Sequence, residues 1–218
     1  MSKLLNHAGI LIGLLLIVSA CGNTSRNDIA MRQAKIAYEA GYLDLQDALA
    51  EYEKAIALDP ANGYIYYNRG RHYARDGYYA HAIADFDQAL SLHPRSDPGW
   101  YNLFDVYAAR GSANAAQGDF AQAIADFSKA LELNPSHGPI YLQRGITYLA
   151  KGECQKAVDD FDWIIQERPT ARNYLYRAQA YACLGDHKRA AEDAEAALQA
   201  GNDADAIREA EALLENLK

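Results

Sequence analysis

Cysteine, methionine and basic side chains are all scarce in this chain of 218 residues, which has three cysteines, two methionines and 21 Lys plus Arg against 29 Asp plus Glu. Three cysteines are too few for the disulfide framework of a small secreted protein. The formal net charge of −8 opposes a phosphate backbone, and no cluster of Lys and Arg offsets it, so we expect no binding to nucleic acid. With 50% apolar and 11% aromatic side chains, the composition is otherwise that of an ordinary globular protein.

Motifs for catalysis and cofactor binding are missing as well. The sequence contains no Gly-x-Ser-x-Gly, no His-Glu-x-x-His, no glycine-rich phosphate loop and no Cys-x-x-Cys. Its six histidines are scattered, and no two of them share a helical face. We therefore predict that the protein is not an enzyme and that it uses no cofactor, metal ion or small-molecule substrate.

The first twenty residues have the pattern of a secretory signal peptide. Lys3 is the only charged side chain before residue 21, and an apolar run from Ala8 to Val18 is followed by Ser19-Ala20-Cys21. A membrane-spanning helix needs about 20 apolar residues, so this run is too short to cross a bilayer. We predict that residues 1–20 are a signal peptide that is removed after export.

The end of this segment, Val18-Ser19-Ala20-Cys21, resembles the lipobox of bacterial lipoproteins. The resemblance implies that Cys21 is acylated and becomes the new N-terminus, with residues 21–28 as a polar tether. Gly22 stands where enteric lipoproteins of the inner membrane have Asp, which implies the periplasmic face of the outer membrane. The alternative is a plainly secreted protein with a chance cysteine at this position.

A repeat follows the tether. Pro60, Pro94, Pro135 and Pro169 are separated by 34, 41 and 34 residues. Each interval has apolar residues at steps of three and four, which predict two amphipathic helices, and a glycine between them that suits an αL helix cap. The shared motif is Tyr-x-x-Arg-Gly in the first helix and Ala-x-x-x-Phe in the second, with Ala178 and Ala194 replacing Gly and Phe in the last interval.

This pattern resembles the tetratricopeptide repeat family, whose period is 34 residues. The resemblance implies an all-α, right-handed superhelical solenoid of about five helix hairpins plus a C-terminal capping helix. We place the array at residues 29–202, and we expect the seven extra residues of its third copy to extend a helix by nearly two turns. The predicted copies span residues 29–62, 63–96, 97–137, 138–170 and 171–202, and the capping helix spans 203–218.

Each glycine between the two predicted helices has an arginine eight residues before it and an aspartate eight residues after it. Two positions equally far from the turn of an antiparallel hairpin lie at the same height. The charges could therefore pair within a repeat, reach a neighbouring repeat, or face water, and the sequence leaves these alternatives open. The four predicted pairs are Arg69 with Asp85, Arg110 with Asp126, Arg144 with Asp160, and Arg177 with Asp193.

Tetratricopeptide arrays line a concave groove with the first helix of each pair, and the family binds extended peptides or partner helices there. The Lys and Asn clamp of chaperone-binding members is missing here, so an acidic C-terminal tail is not the expected ligand. Tyr66 and Tyr73 are expected in the packing layer beside the groove. The groove residues implied by the resemblance are Tyr64, Tyr67, Arg71, Tyr101, Asp105, Leu142, Ile146, Leu175, Tyr176 and Gln179.

The predicted function is that of a lipid-anchored periplasmic adaptor that binds a protein or peptide partner in this groove. The alternative is a fixed structural or assembly subunit of a cell-envelope complex, such as a pilus or secretion system. Cys154 and Cys183 are predicted at the same edge of adjacent repeats, where they form either a disulfide or two free thiols.

Overall fold

The computed structural model describes residues 29, 31–32, 35–36, 39, 44–93, 101–201 and 203–217. The predicted signal peptide, Cys21 and the tether lie outside these residues. The described part of the chain contains no β-strand, and the described positions between 29 and 39 are helical. Ten helices have defined bounds: α1 Leu45–Leu58, α2 Gly63–Arg75, α3 Tyr79–Leu92, α4 Leu103–Gln117, α5 Phe120–Leu133, α6 Gly138–Lys151, α7 Cys154–Glu167, α8 Ala171–Cys183, α9 His187–Ala200 and α10 Ala204–Asn216.

The turn inside each hairpin is closed by a glycine with positive φ, as the sequence predicts. Gly152, for example, has φ 81° and donates its amide to the Leu149 carbonyl oxygen at 3.0 Å. The next amide, that of Glu153, donates to the Tyr148 carbonyl oxygen at 2.9 Å. These two bonds satisfy carbonyls that the end of α6 would otherwise leave unpaired, so the chain reverses without a longer loop.

The hairpins stack in chain order to form an all-α solenoid. Helices α2 and α3 contact each other, as do α4 and α5, α6 and α7, and α8 and α9, and the second helix of each pair contacts the first helix of the next. The first helices α2, α4 and α6 also touch their neighbours directly. This arrangement brings the first helices side by side, where together they form one surface.

A glycine–phenylalanine contact sets the close approach of the two helices in three hairpins. A Cβ atom added to Gly70 would lie 2.8 Å from Phe86 Cε1, and one added to Gly145 would lie 2.7 Å from Phe161 Cε1. Both phenylalanines are completely buried. In the last hairpin the pair is Ala178 and Ala194, also completely buried, so a larger first residue is matched by a smaller second one.

The seven extra residues of the third copy do not extend a helix, which corrects that expectation. Helix α4 has 15 residues, against 13 in α2 and 14 in α6. The insertion instead lies between the end of α3 and the start of α4, in residues 93–102, of which 94–100 lie outside the described residues. The physical reason is the N-cap of α4, where the Asn102 side chain accepts a hydrogen bond from the Asp105 amide at 2.7 Å and begins the helix there.

The last helix, α10, closes the end of the solenoid. Its Ala206 and Ala210 are completely buried in one cluster with Ala171 and Leu175 of α8. An ion pair ties the same two helices, since Arg172 Nε donates to Asp203 Oδ2 at 2.9 Å. The apolar face of the last hairpin is therefore covered by a helix, as an array of this kind requires.

Candidate functional site

The four arginine–aspartate pairs form within each hairpin. In every pair the Nε and Nη2 atoms of the arginine donate to the two oxygens of one carboxylate. Arg144 Nε and Nη2, for example, donate to Asp160 at 2.9 Å and 2.7 Å. Three of the arginines also reach the second helix of the preceding repeat, so two of the three alternatives left open occur together. These three contacts are Arg110 with Asp87, Arg144 with Ser128, and Arg177 with Asp162.

Tyrosine rings flank the same arginines. The Arg144 guanidinium carbon lies 5.5 Å from the centroid of the Tyr141 ring and 5.8 Å from that of Tyr148. Burial raises the pKa of Asp160, and the charge of Arg144 opposes that rise. Because each paired arginine bonds to the facing helix and three of them bond to the previous repeat, the pairs fix the spacing of the first helices rather than serving as a ligand site.

Eight of the ten predicted groove residues remain accessible on the first helices. Arg71 and Ile146 are exposed, the latter with 36% of its surface accessible. Ile146 lies one turn beyond the half-buried Leu142 on α6, and the two side chains form an apolar section of this surface. The remaining five, all half-buried, are Tyr64, Tyr67, Asp105, Tyr176 and Gln179.

Tyr101 and Leu175 are not groove residues, which corrects the prediction for both. Tyr101 is only 7% exposed, because its ring stacks on Tyr67 at 5.8 Å and its hydroxyl donates to the Ala89 carbonyl oxygen at 2.9 Å. Leu175 is completely buried because α10 packs Ala206 over that face of α8. Both contacts join residues far apart in the chain, so a local sequence pattern does not reveal them.

Tyr67 belongs partly to the core and partly to the groove. Its ring packs against Tyr101 and against Phe86, with 6.2 Å between the centroids of Tyr67 and Phe86. Arg71 stacks on Tyr67, its guanidinium carbon 5.7 Å from the ring centroid. Burial raises the pKa of Tyr67, Arg71 opposes the rise and Asp105 adds to it. Arg71 on α2 and Asp105 on α4 thus both influence this tyrosine, from adjacent first helices.

Tyr66 and Tyr73 lie at the border of the packing layer rather than inside it. Both rings are half-buried and pack against the cluster around Phe86, with the Arg69 guanidinium carbon 5.7 Å from Tyr66 and 6.0 Å from Tyr73. The Tyr66 hydroxyl donates to the Pro60 carbonyl oxygen at 3.2 Å. The expectation that these two rings are core residues is therefore met only in part.

A disulfide joins Cys154, at the start of α7, to Cys183, at the end of α8, with 6.1 Å between their Cα atoms. That separation lies within the range a disulfide needs. The bond connects the fourth and fifth repeats at the edge where the hairpins turn. Cys154 is buried, whereas Cys183 is exposed.

Within the described ranges, no group of three or more His, Cys, Asp or Glu side chains is arranged to hold a metal ion. None of the helices described here has the length and apolar character needed to cross a bilayer.

The stacked hairpins, the glycine–phenylalanine contacts and the row of first helices define a helical-repeat protein of the kind that presents an extended binding surface. The particular family follows from the sequence. Models of the tetratricopeptide repeat match residues 44–77, 63–96, 104–137 and 142–205, and the chain belongs to the tetratricopeptide repeat family.

Several solved structures share the fold over most of the chain, whereas no curated protein matches it. MamA superimposes with a TM-score of 0.71 at 25% identity, over 80% of this chain and 91% of that one. YrrB, described as a TPR protein with an unusual peptide-binding site, gives 0.75 at 21% identity, over 91% and 97%. A thermophilic TPR protein of Thermus thermophilus gives 0.54 at 24% identity, over 86% and 99%.

Proposed function

We propose that this protein is a lipid-anchored interaction scaffold of the bacterial cell envelope that binds a partner peptide or helix on the surface of its first helices. The observation that carries the proposal is the accessible surface of α2, α4 and α6, where Arg71 and Ile146 remain exposed although their helices are packed on the other side. The anchor rests on the sequence around Cys21, and the periplasmic face of the outer membrane is its proposed location.

The surface favours a partner that places an apolar segment on α6 and an acidic residue toward α2. Leu142 and Ile146 supply apolar contact area on α6. Arg71 is exposed and forms no ion pair with any residue of the described chain, so it offers a positive charge beside Tyr67. Arginine and aromatic side chains dominate binding hot spots, because they bury a large area and keep a polar group.

Affinity capture from a detergent extract of the cell envelope tests this proposal. The Ile146→Asp variant should lose its companions, because a carboxylate would be desolvated in an apolar contact. Leu133→Asp is the matched control, since Leu133 is 51% exposed on α5, a second helix that lies outside the groove. Equal capture by both variants would contradict the proposal. Several companions in unequal amounts favour an adaptor, and one companion at a fixed ratio favours the alternative of a structural subunit.

A further inference from the structure

The hairpin turn of the fourth repeat holds a cation between an aromatic ring and a carboxylate. The Lys156 ammonium lies 5.4 Å from the centroid of the Tyr148 ring. The same ammonium donates to Glu153 Oε2 at 2.7 Å. Lys156 is therefore attracted to the face of the ring and to the negative charge of Glu153, the residue that precedes α7.

The turn of the fifth repeat repeats this arrangement with different residues. The Arg189 guanidinium carbon lies 4.4 Å from the centroid of the Tyr181 ring, and its Nε donates to Asp186 Oδ2 at 2.6 Å. The backbone of the turn is the same, because the Asp186 amide donates to the Tyr181 carbonyl oxygen at 2.9 Å. A tyrosine, a carboxylate and a cation thus occupy the same three positions in both repeats.

The second repeat keeps the tyrosine but replaces the other two residues by rings. Tyr73 stands at the tyrosine position, Tyr78 at the carboxylate position and His81 at the cation position, and the Tyr78 amide donates to the Tyr73 carbonyl oxygen at 2.8 Å. The centroid of Tyr73 lies 5.1 Å from that of His81 and 6.3 Å from that of Tyr78, and Tyr78 and His81 are also 6.3 Å apart. No Lys or Arg of the described chain occupies the position of Lys156 beside these three rings, although the Arg69 guanidinium carbon lies 6.0 Å from the Tyr73 centroid, as that of Arg144 lies 5.8 Å from Tyr148.

Tyr78 contributes little to the stability of this turn. It is the N-cap residue of α3 and its side chain makes no capping hydrogen bond; Asp119 and Asp186 at the same position each accept one from a backbone amide, whereas Glu153 accepts none but binds Lys156. Half of its surface is exposed although it is a large aromatic residue. Residues that do not stabilise the local fold, and that lie at the rim of a cleft, are typical of binding sites.

The three rings form one wall of an open cleft of about 380 Å³. The opposite wall is α1, which contributes the apolar Leu45 and Leu49 and the exposed carboxylate of Glu53. Burial raises the pKa of Tyr73, the charge of Arg69 opposes the rise, and the charges of Asp85 and Glu53 add to it. The cleft therefore offers aromatic ring faces on one side and a carboxylate on the other.

We infer that this cleft binds a lysine or arginine side chain of a partner protein, in the position that Lys156 and Arg189 occupy within their own repeats. The ring faces and Glu53 attract a cation, and Leu45 and Leu49 offer contact to its aliphatic stem. The net charge of −8 favours the approach of a basic partner. The cleft lies at the edge formed by α1, α2 and α3, so it is separate from the groove of the proposed function.

Nuclear magnetic resonance on the mature chain in detergent tests the inference with a defined probe, N-acetyl-lysine-N-methylamide. Its saturable binding should shift the ring signals of Tyr73, Tyr78 and His81 with a dissociation constant on the order of millimolar, as for one small ligand group. The norleucine analogue has the same stem without the charge and should leave these signals unchanged. Absence of a saturable shift with the lysine probe, or an equal shift with norleucine, would overturn the inference.

Two variants separate binding from folding. Tyr78→Ala removes a ring face and adds no charge, and because Tyr78 is half exposed and makes no capping hydrogen bond, the unfolding midpoint should stay nearly unchanged while binding of the lysine probe weakens about fivefold. His81→Lys supplies an internal cation like Lys156, so it should fill the cleft and remove the probe's shift. Either variant binding the probe as tightly as the wild type would contradict the assignment.

Discussion

Replacing Gly145 by alanine should destabilise the fourth repeat, although alanine is the better helix former. The new Cβ would lie 2.7, 3.0 and 3.1 Å from three carbons of the Phe161 ring, and ordinary contact begins at 3.4 Å. The ring is fully buried and stacks on Tyr176 at 5.7 Å, so it has little room to move. Overpacking of this kind costs about 3 kcal/mol, the higher helix propensity offsets about 1 kcal/mol, and the net loss should be about 2 kcal/mol.

Chemical unfolding of Gly145→Ala, Phe161→Leu and the double variant measures this cost by a double-mutant cycle. In the Phe161→Leu background the clashing ring carbons are absent, so the alanine should be neutral or stabilising by about 1 kcal/mol. The expected coupling between the two positions is therefore about 2–3 kcal/mol. An equal effect of the alanine in both backgrounds would refute the claim that this contact sets the distance between α6 and α7.

Three further predictions concern pH, the disulfide and the anchor. Burial lowers the pKa of His72 to about 4, so stability should fall by about 3 kcal/mol as pH drops from 6.5 to 4, because the unfolded chain binds the proton first. In unfolding curves at both pH values, His72→Gln should lose most of that difference, and a wild-type protein equally stable at both would contradict the prediction. Thiol titration of the mature protein without reductant should find neither Cys154 nor Cys183 reactive until the protein is reduced, and two free thiols would rule out the bond. Cys21→Ser should abolish metabolic labelling with a fatty acid, and label that persists would exclude Cys21 as the anchor.

The helix pairs follow directly from local sequence signals. Gly152 and its equivalents end a first helix because only glycine adopts their positive φ without strain, and this preference is visible in the sequence. The glycine–phenylalanine contacts follow in the same way, since Gly145 and Phe161 each recur at a fixed place in the repeat. The sequence places each arginine level with its aspartate in the hairpin. The further contact of three of these arginines with the preceding repeat depends on how the hairpins stack, which the sequence pattern does not show.

The candidate site is less predictable because it depends on contacts between distant segments. Tyr101 lies just before α4 in the lengthened third copy, and a repeat pattern gives no information about the placement of inserted residues. The helical spacing of Tyr67 predicts a surface position, yet Tyr101 and Phe86 cover much of its ring. Replacing both Tyr67 and Arg71 by alanine would therefore mix a loss of stability with a loss of binding. Arg71→Ala alone is the cleaner test of the groove.

Site-specific photo-crosslinking in living cells tests the central claim, that the first helices bind a partner, most directly. A photoreactive amino acid at Ile146 probes the groove, and the same amino acid at Leu133 probes an exposed apolar position on α5 as a control. We expect a discrete cross-linked partner at Ile146, a weaker cross-link there in the Arg71→Ala variant, and none at Leu133. No cross-link at Ile146, or the same products at both positions, would contradict it.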